Sequence, residues 1–149
     1  MGLDMYLNRK HYVQTYDQTT HNIVSTVKIT GPGASGVDTT KVKYLIEEVG
    51  YWRKANAIHL WFVENVQGGT DECQEVYVSN ENLKELLELC QTVQDNPELG
   101  PELLPATSGF FFGSTEYDEG YLEDIKYTIK LLKPLVDDEY SDFYYQSSW

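Results

Sequence analysis

The chain has 149 residues, 41% hydrophobic, 13% aromatic and 23% charged. That is enough apolar bulk for one globular domain, and it excludes wholesale disorder, collagen-like repeats and disulfide-stapled miniproteins. No apolar run approaches the roughly 20 residues needed to cross a bilayer. With 11 basic against 24 acidic residues the formal charge is −13, which argues against phosphate backbones and anionic lipid as direct partners.

In chain order, Leu3 to Tyr16 and the β-branched run Ile23 to Thr30 read as strands, and polar Asp17 to Asn22 between them reads as the turn of an antiparallel pair. Gly31-Pro-Gly-Ala-Ser-Gly36 is a loop that lacks the Gly-Lys-Ser/Thr ending of a phosphate cradle. Val42 to Trp52 carries both a period of two and a helical spacing; Gly50, costly inside a helix, tips it to a strand. From Lys54 the stripe Ile58, Trp61, Phe62, Val66 predicts a helix ending before Gly68-Gly69.

A short strand over Val76 to Val78 precedes a helix that Ser79 caps, with Leu83, Leu86, Leu87 and Cys90 on one face, stopping before Pro97. Pro97 to Pro105 reads as an extended connector. Gly109-Phe-Phe-Phe-Gly113 predicts a buried strand or a tight aromatic loop, its phenylalanines acting as core or loop anchors. Thr115 to Asp118 has capping-box spacing ahead of a helix with Leu122, Ile125, Ile129, Leu132 and Val136 on one side, kinked or stopped near Pro134. Phe143 to Trp149 reads as an edge strand or an ordered tail. Strands and helices without regular alternation predict a single α+β domain over residues 1–149, a small antiparallel sheet packed with about three helices.

Charge is unevenly spread along this order. Up to Phe62 the chain is weakly basic at +2, and from Val63 onward it carries −15. The acidic part reads either as a solubilising surface or as a field of carboxylates that competes with nucleic acid for a basic protein face. The acids lack calcium-loop spacing. Cys73 and Cys90 form no C-x-x-C pair, and Cys90 falls on an apolar helix face, which predicts a buried free thiol. No metal or cofactor is expected. The start has neither a secretory nor a myristoylation signal, so a reduced, cytoplasmic setting is expected.

Two clusters stand out chemically. Arg53, Asn56 and His59 fall at the start of the first helix, where cations oppose the helix dipole and call for an anion or a carboxylate from the acidic half. Ser114 and Thr115 precede a helix start that could receive an oxyanion, unless Glu116, Asp118 and Glu119 fill it from within. The two clusters could meet, with Glu116 or Asp118 pairing Arg53. There is no G-x-S-x-G elbow and no H-E-x-x-H pair. A hydrolase with His59 oriented by Asp118 or Glu116 stays open beside a packed, hydrogen-bonded histidine.

Three blocks carry a resemblance: Met1-Gly-Leu-Asp-Met-Tyr-Leu7, Val49-Gly-Tyr-Trp-Arg-Lys-Ala-Asn-Ala-Ile-His59, and Leu103-Leu-Pro105 with Ser108-Gly-Phe-Phe-Phe-Gly-Ser-Thr-Glu-Tyr-Asp-Glu119. They resemble a family of small phage and prophage proteins of uncharacterised activity. The resemblance implies a viral origin and a bacterial cytoplasm, and it transfers no catalytic residue. The expectation is a non-enzymatic protein that binds and blocks a host or defence protein, of restriction or CRISPR type, through an acidic surface. Glu116, Asp118, Glu119, Glu123 and Asp124 are its candidate acids, and Tyr140, Tyr144 and Trp149 its aromatic anchors. The alternative is a small-ligand or nucleotide-binding protein, or a hydrolase, built on Arg53, Asn56 and His59 facing Ser114 and Thr115.

Overall fold

The computed structural model of the chain describes residues 2–13 and 25–149. Four strands, β1 (Asp4–Tyr12), β2 (Tyr44–Arg53), β3 (Val76–Val78) and β4 (Asp142–Ser148), form one sheet in the order β2-β1-β4-β3. All neighbouring pairs are antiparallel. The helices are α1 (Asn56–Asn65), α2 (Asn80–Asp95), the one-turn α3 (Gly100–Leu103) and α4 (Glu119–Leu132). The fold is a mixed α+β domain, as composition and patterning predict.

Alternation along β1 sends Leu3, Met5 and Leu7 to the inner face, where Trp52 of β2, Val78 of β3, and Phe143 and Tyr145 of β4 join them in the core. Helices α1 and α4 cover that face. The rings of Phe62 on α1 and Tyr145 on β4 stack with centroids 3.9 Å apart and planes 5° from parallel. Trp52 donates its indole N–H to Thr128 of α4 at 2.9 Å, and Thr128 in turn donates to the Asp124 carbonyl at 2.7 Å. Burying a tryptophan beside a helix thereby leaves no orphaned donor. Helix α2 closes the layer against α4. It starts in a true capping box: Ser79 accepts from the Asn82 N–H while the Asn82 side chain accepts from the Ser79 N–H.

Several expectations change. The partners of β1 are β2 and β4, not Ile23 to Thr30, and the described part of that run, Ser25 to Thr30, has no regular structure. Its β-branched residues have no free neighbour beside β1, because both edges of that strand are taken. The Asp17 to Asn22 turn, and the end of the first predicted strand beyond Val13, lie outside the described residues. Pro97 to Leu103 forms a 3-10 turn followed by α3 rather than an extended connector, because a proline in a first helical turn removes only an N–H that would be unpaired anyway.

The capping box predicted from Thr115 is displaced. Asp118 is the N-cap of α4 and accepts from the Tyr121 N–H at 3.1 Å, whereas Ser114 spends its hydroxyl on the Glu116 N–H at 3.0 Å. The Phe110–Phe112 run is a turn that splits its rings, with Phe112 buried and Phe110 80% exposed. The strand predicted over 143–149 is interior, flanked by β1 and β3.

Between Leu7 and Asn8 of β1 the register with β2 shifts, leaving Val49 as an extra residue. Gly50 follows directly, and a Cβ built there would lie 2.6 Å from one Leu131 methyl carbon and 3.3 Å from the Leu7 Cβ. The glycine thus permits β2 and α4 to approach. Gly50→Ala is expected to destabilise the protein by about 1–3 kcal/mol through overpacking, read as a lower urea midpoint with an unchanged slope.

Candidate functional site

At the end of β2 the chain turns sharply into α1. Lys54 sits in the left-handed region at φ 58°; its N–H donates to the Leu3 carbonyl at 2.8 Å and its carbonyl accepts from the Asn56 N–H at 2.9 Å. A left-handed lysine costs about 1–2 kcal/mol, so the corner is held by these bonds rather than by local preference. The 107–114 loop is fastened to the same corner. Asn56, buried, donates to the carbonyls of Phe112 and Ser114 at 3.0 and 2.9 Å and accepts from the Thr107 N–H at 3.0 Å. Gly113 faces Lys54, at φ 89° and with room for no Cβ beyond a 3.1 Å contact to the Lys54 Cβ.

Between this corner and the start of α4 lies a cleft of about 310 Å³, with Arg53, Lys54, Asn56, Ser114, Glu116, Asp118, Glu123 and Asp124 among its lining residues. The two predicted clusters therefore do meet, but not through the predicted bridge. Arg53 pairs with Asp4, its neighbour across β1, at 3.6 Å, while Asp118 caps α4. Thr115 and Glu119 are exposed beside the cleft and are not among the residues lining it. Burial, with Glu123 and Asp118 close by, raises the Asp124 carboxyl from its ordinary 3.8 to about 6.

His59 turns away from the cleft. It is 1% exposed, and its ring spans two partners, Asp71 Oδ2 and the Tyr145 hydroxyl, each at 2.7 Å. A carboxylate can only accept, so in the neutral ring Nε2 carries the hydrogen and Nδ1 accepts from Tyr145. Burial first, then the nearby Asp71 charge, pushes the Tyr145 phenol well above its usual range. Phe112 closes edge-on over the imidazole at 5.3 Å, and Trp149 donates its indole N–H to Asp71 at 3.0 Å. The orienting carboxylate is thus Asp71, not Asp118 or Glu116. The array has the hydroxyl–imidazole–carboxylate order of a hydrolytic triad, but no substrate reaches a fully buried tyrosine. Sequence reasoning misses both partners of His59, since Asp71 and Tyr145 carry no local signal and stand 12 and 86 positions away.

The acids have a definite place. Helices α2 and α4 run antiparallel: Asn80, at the start of α2, donates to the Val136 and Asp138 carbonyls beyond α4, and Tyr121, near the start of α4, donates to the Leu104 carbonyl beyond α3. The end of α2, α3 and the start of α4 consequently share one pole of the molecule, with Asp95, Glu98, Glu102, Glu116, Asp118, Glu119 and Glu123 all exposed. Of the acids from Val63 onward, only Asp71 and Asp138 enter ion pairs among the described residues. Lys126, Lys130 and Lys133 lie toward the other end of α4, where cations suit its dipole.

The nominated aromatics are not one group. Tyr140 is 97% exposed in the loop before β4, and Trp149 follows that strand, so the seven residues of β4, roughly 23 Å of extended chain, lie between them. Tyr144, half-buried, belongs to the outer face of the sheet. Tyr117, 41% exposed, stands between the cleft-lining Glu116 and Asp118, and Phe110 and Phe111 are exposed in the neighbouring loop, edge-to-face at 4.3 Å. Among the described residues no helix is long and apolar enough to cross a membrane, and no group of three or more His, Cys, Asp or Glu side chains is placed to hold a metal. Cys90 is a buried free thiol whose burial pushes it up to about 12. Comparison with protein-family models, curated proteins and solved structures finds no match.

Two outcomes follow from these environments. Tyr145→Phe keeps the stack on Phe62 but leaves His59 Nδ1 without a partner, and is expected to cost about 1–3 kcal/mol in urea unfolding. Asp124 binds its proton more tightly when folded, so its contribution favours the folded state below the ordinary carboxylate value and falls away as pH rises from about 4 to about 6. Asp124→Asn is therefore expected to raise the urea midpoint relative to the wild type at neutral pH and to leave it unchanged in acid.

Proposed function

We propose that this is a non-catalytic binding protein of phage or prophage origin, which blocks a host or defence protein by presenting carboxylates to a basic, nucleic-acid-binding surface. The observation that carries the proposal is the exposed acidic pole at the end of α2, α3 and the start of α4, whose carboxylates from Glu98 to Glu123 form no ion pair among the described residues. Like charge gathered at one end raises the association rate with a positive surface and fixes the approach direction. Tyr117, 41% exposed between Glu116 and Asp118, supplies apolar contact that charge alone lacks, and the resemblance of the three sequence blocks supports the origin. Such a partner would be met in the bacterial cytoplasm.

A second reading rests on the cleft itself, where Arg53 and Lys54 share a space of about 310 Å³ with Glu116, Asp118 and Asp124: a small-molecule binder in which His59 plays no contacting part. Thermal-shift screening with nucleotides and zwitterionic metabolites checks it, since bound ligand raises apparent stability.

For the first reading, the tagged protein is expected to capture a bacterial protein at about 0.1 M salt, release it near 0.5 M, and be displaced by double-stranded DNA. A Glu119→Lys, Glu123→Lys double variant should capture none. A partner held equally well at high salt, or indifferent to charge reversal, would contradict the reading.

A further inference from the structure

The strand alternation that buries Met5, Leu7, Trp52 and Tyr145 also determines what the opposite face of the sheet presents. Across it run Tyr44, Ile46 and Tyr51 of β2, Tyr6, Lys10 and Tyr12 of β1, Tyr144 of β4 and Tyr77 of β3. None of the four helices covers this face. Ile46 is 67% exposed, Tyr12 64% and Tyr77 55%. The rings pair across strands, Tyr6 with Tyr51 at 5.5 Å, Tyr12 with Tyr44 at 5.9 Å and Tyr77 with Tyr144 at 5.9 Å, and the Lys10 ammonium lies over the Tyr44 ring at 4.2 Å. Cross-strand rings hold one another in place before any partner arrives, which lowers the side-chain ordering cost of docking.

Charge identifies the occupant. Around these rings Lys10 and Arg53 stand among Asp4, Glu48 and Asp142, with Arg53 already paired to Asp4, so the face is close to neutral on a chain of −13. A strongly basic partner gains more at the acidic pole. Two copies of this chain repel through that pole, and the sheet is the face on which they meet with both signs present. The four strands pair over nine residues between β1 and β2, seven between β1 and β4 and three between β4 and β3, and span roughly 15–20 Å by 20–25 Å. That footprint, before side-chain relief is counted, is on the scale of the about 800 Å² of accessible surface that each partner contributes to a standard interface. Tyrosine is also among the residues enriched in such interfaces.

We propose that the open face of the sheet is the docking surface for a second copy of this chain, forming a closed face-to-face dimer that leaves both acidic poles free. The proposal does not depend on the function argued above, and its salt dependence has the opposite sign: screening relieves repulsion between two anionic copies, so association strengthens as salt rises.

Sedimentation equilibrium of the full chain at about 0.1 and about 0.5 M salt tests it. The expected result is a monomer–dimer equilibrium that tightens at the higher salt. Ile46→Glu and Tyr77→Glu, exposed positions on opposite edges of the face, should each weaken the dimer at least about tenfold while leaving the far-ultraviolet circular dichroism unchanged. A chain monomeric at both salts, or a dimer that loosens with salt, would overturn the proposal. So would a dimer sensitive to Ile46→Glu alone, which would place the contact at the β2 edge. Loss of the captured basic partner in both variants, with the wild type monomeric, would reassign the face to that partner.

Discussion

The structure turns on Tyr145, the fully buried residue near the middle of an interior strand. Its ring stacks on Phe62 and its hydroxyl meets His59, which reaches Asp71, which in turn holds the Trp149 indole. One side chain therefore ties the sheet to α1, to the loop before β3 and to the last residue of the chain. The apolar part of this contact is non-directional, whereas the polar part is costly if any member is removed, because the others are then left buried without partners. The network selects one arrangement of α1 on the sheet. It also removes from solvent the histidine that the sequence makes most attractive as a base.

A consequence for function is that the reactive-looking and the accessible parts of the molecule are separate. The buried array beneath Phe112 has catalytic order and no access. The cleft between the β2–α1 corner and α4 has access, but its histidine is gone and its asparagine is spent on three backbone groups of the neighbouring loop. Outside the cleft, the most distinctive exposed features among the described residues are charge at one pole and tyrosine on the sheet. A further polar set closes the far end of the inner face. Arg9 bridges Glu47 and Asp138 at 3.2 and 3.3 Å, and His11 lies between Glu47 and Ser141. Hydrogen bonds from Arg9 first, then His11, hold the Glu47 carboxyl below its usual range. In Asp138 burial works the other way, but Ser141, the Tyr140 N–H and Arg9 outweigh it.

Much of this was legible where the signal is local. The stripe from Ile58 to Phe62, the serine before α2 and the glycine in Val42 to Trp52 each act within a turn or two of the chain, and each element forms where they point. The misreadings share a cause in longer range. Ile23 to Thr30 has strand composition but no vacant edge beside β1, and Phe143 to Trp149 gives no hint that two strands flank it. Ser114 diverts its hydroxyl into a tight turn, moving the start of α4 from Thr115 to Asp118. The site follows the same rule. That the Arg53 and Ser114 regions meet could be anticipated from complementary chemistry, whereas the pairing of Arg53 with Asp4 depends on strand register, and the partners of His59 on the whole topology.

The extra residue at Val49 divides β2 into two stretches with different obligations. From Gly50 to Arg53 the strand is committed to the helical layer, where Trp52 and the close approach of Leu131 tolerate little change. From Tyr44 to Glu48 every residue is exposed, so most substitutions there leave the core intact. Such a division concentrates tolerance for change in the outer half of one strand, where sequence can drift without renegotiating how the protein folds.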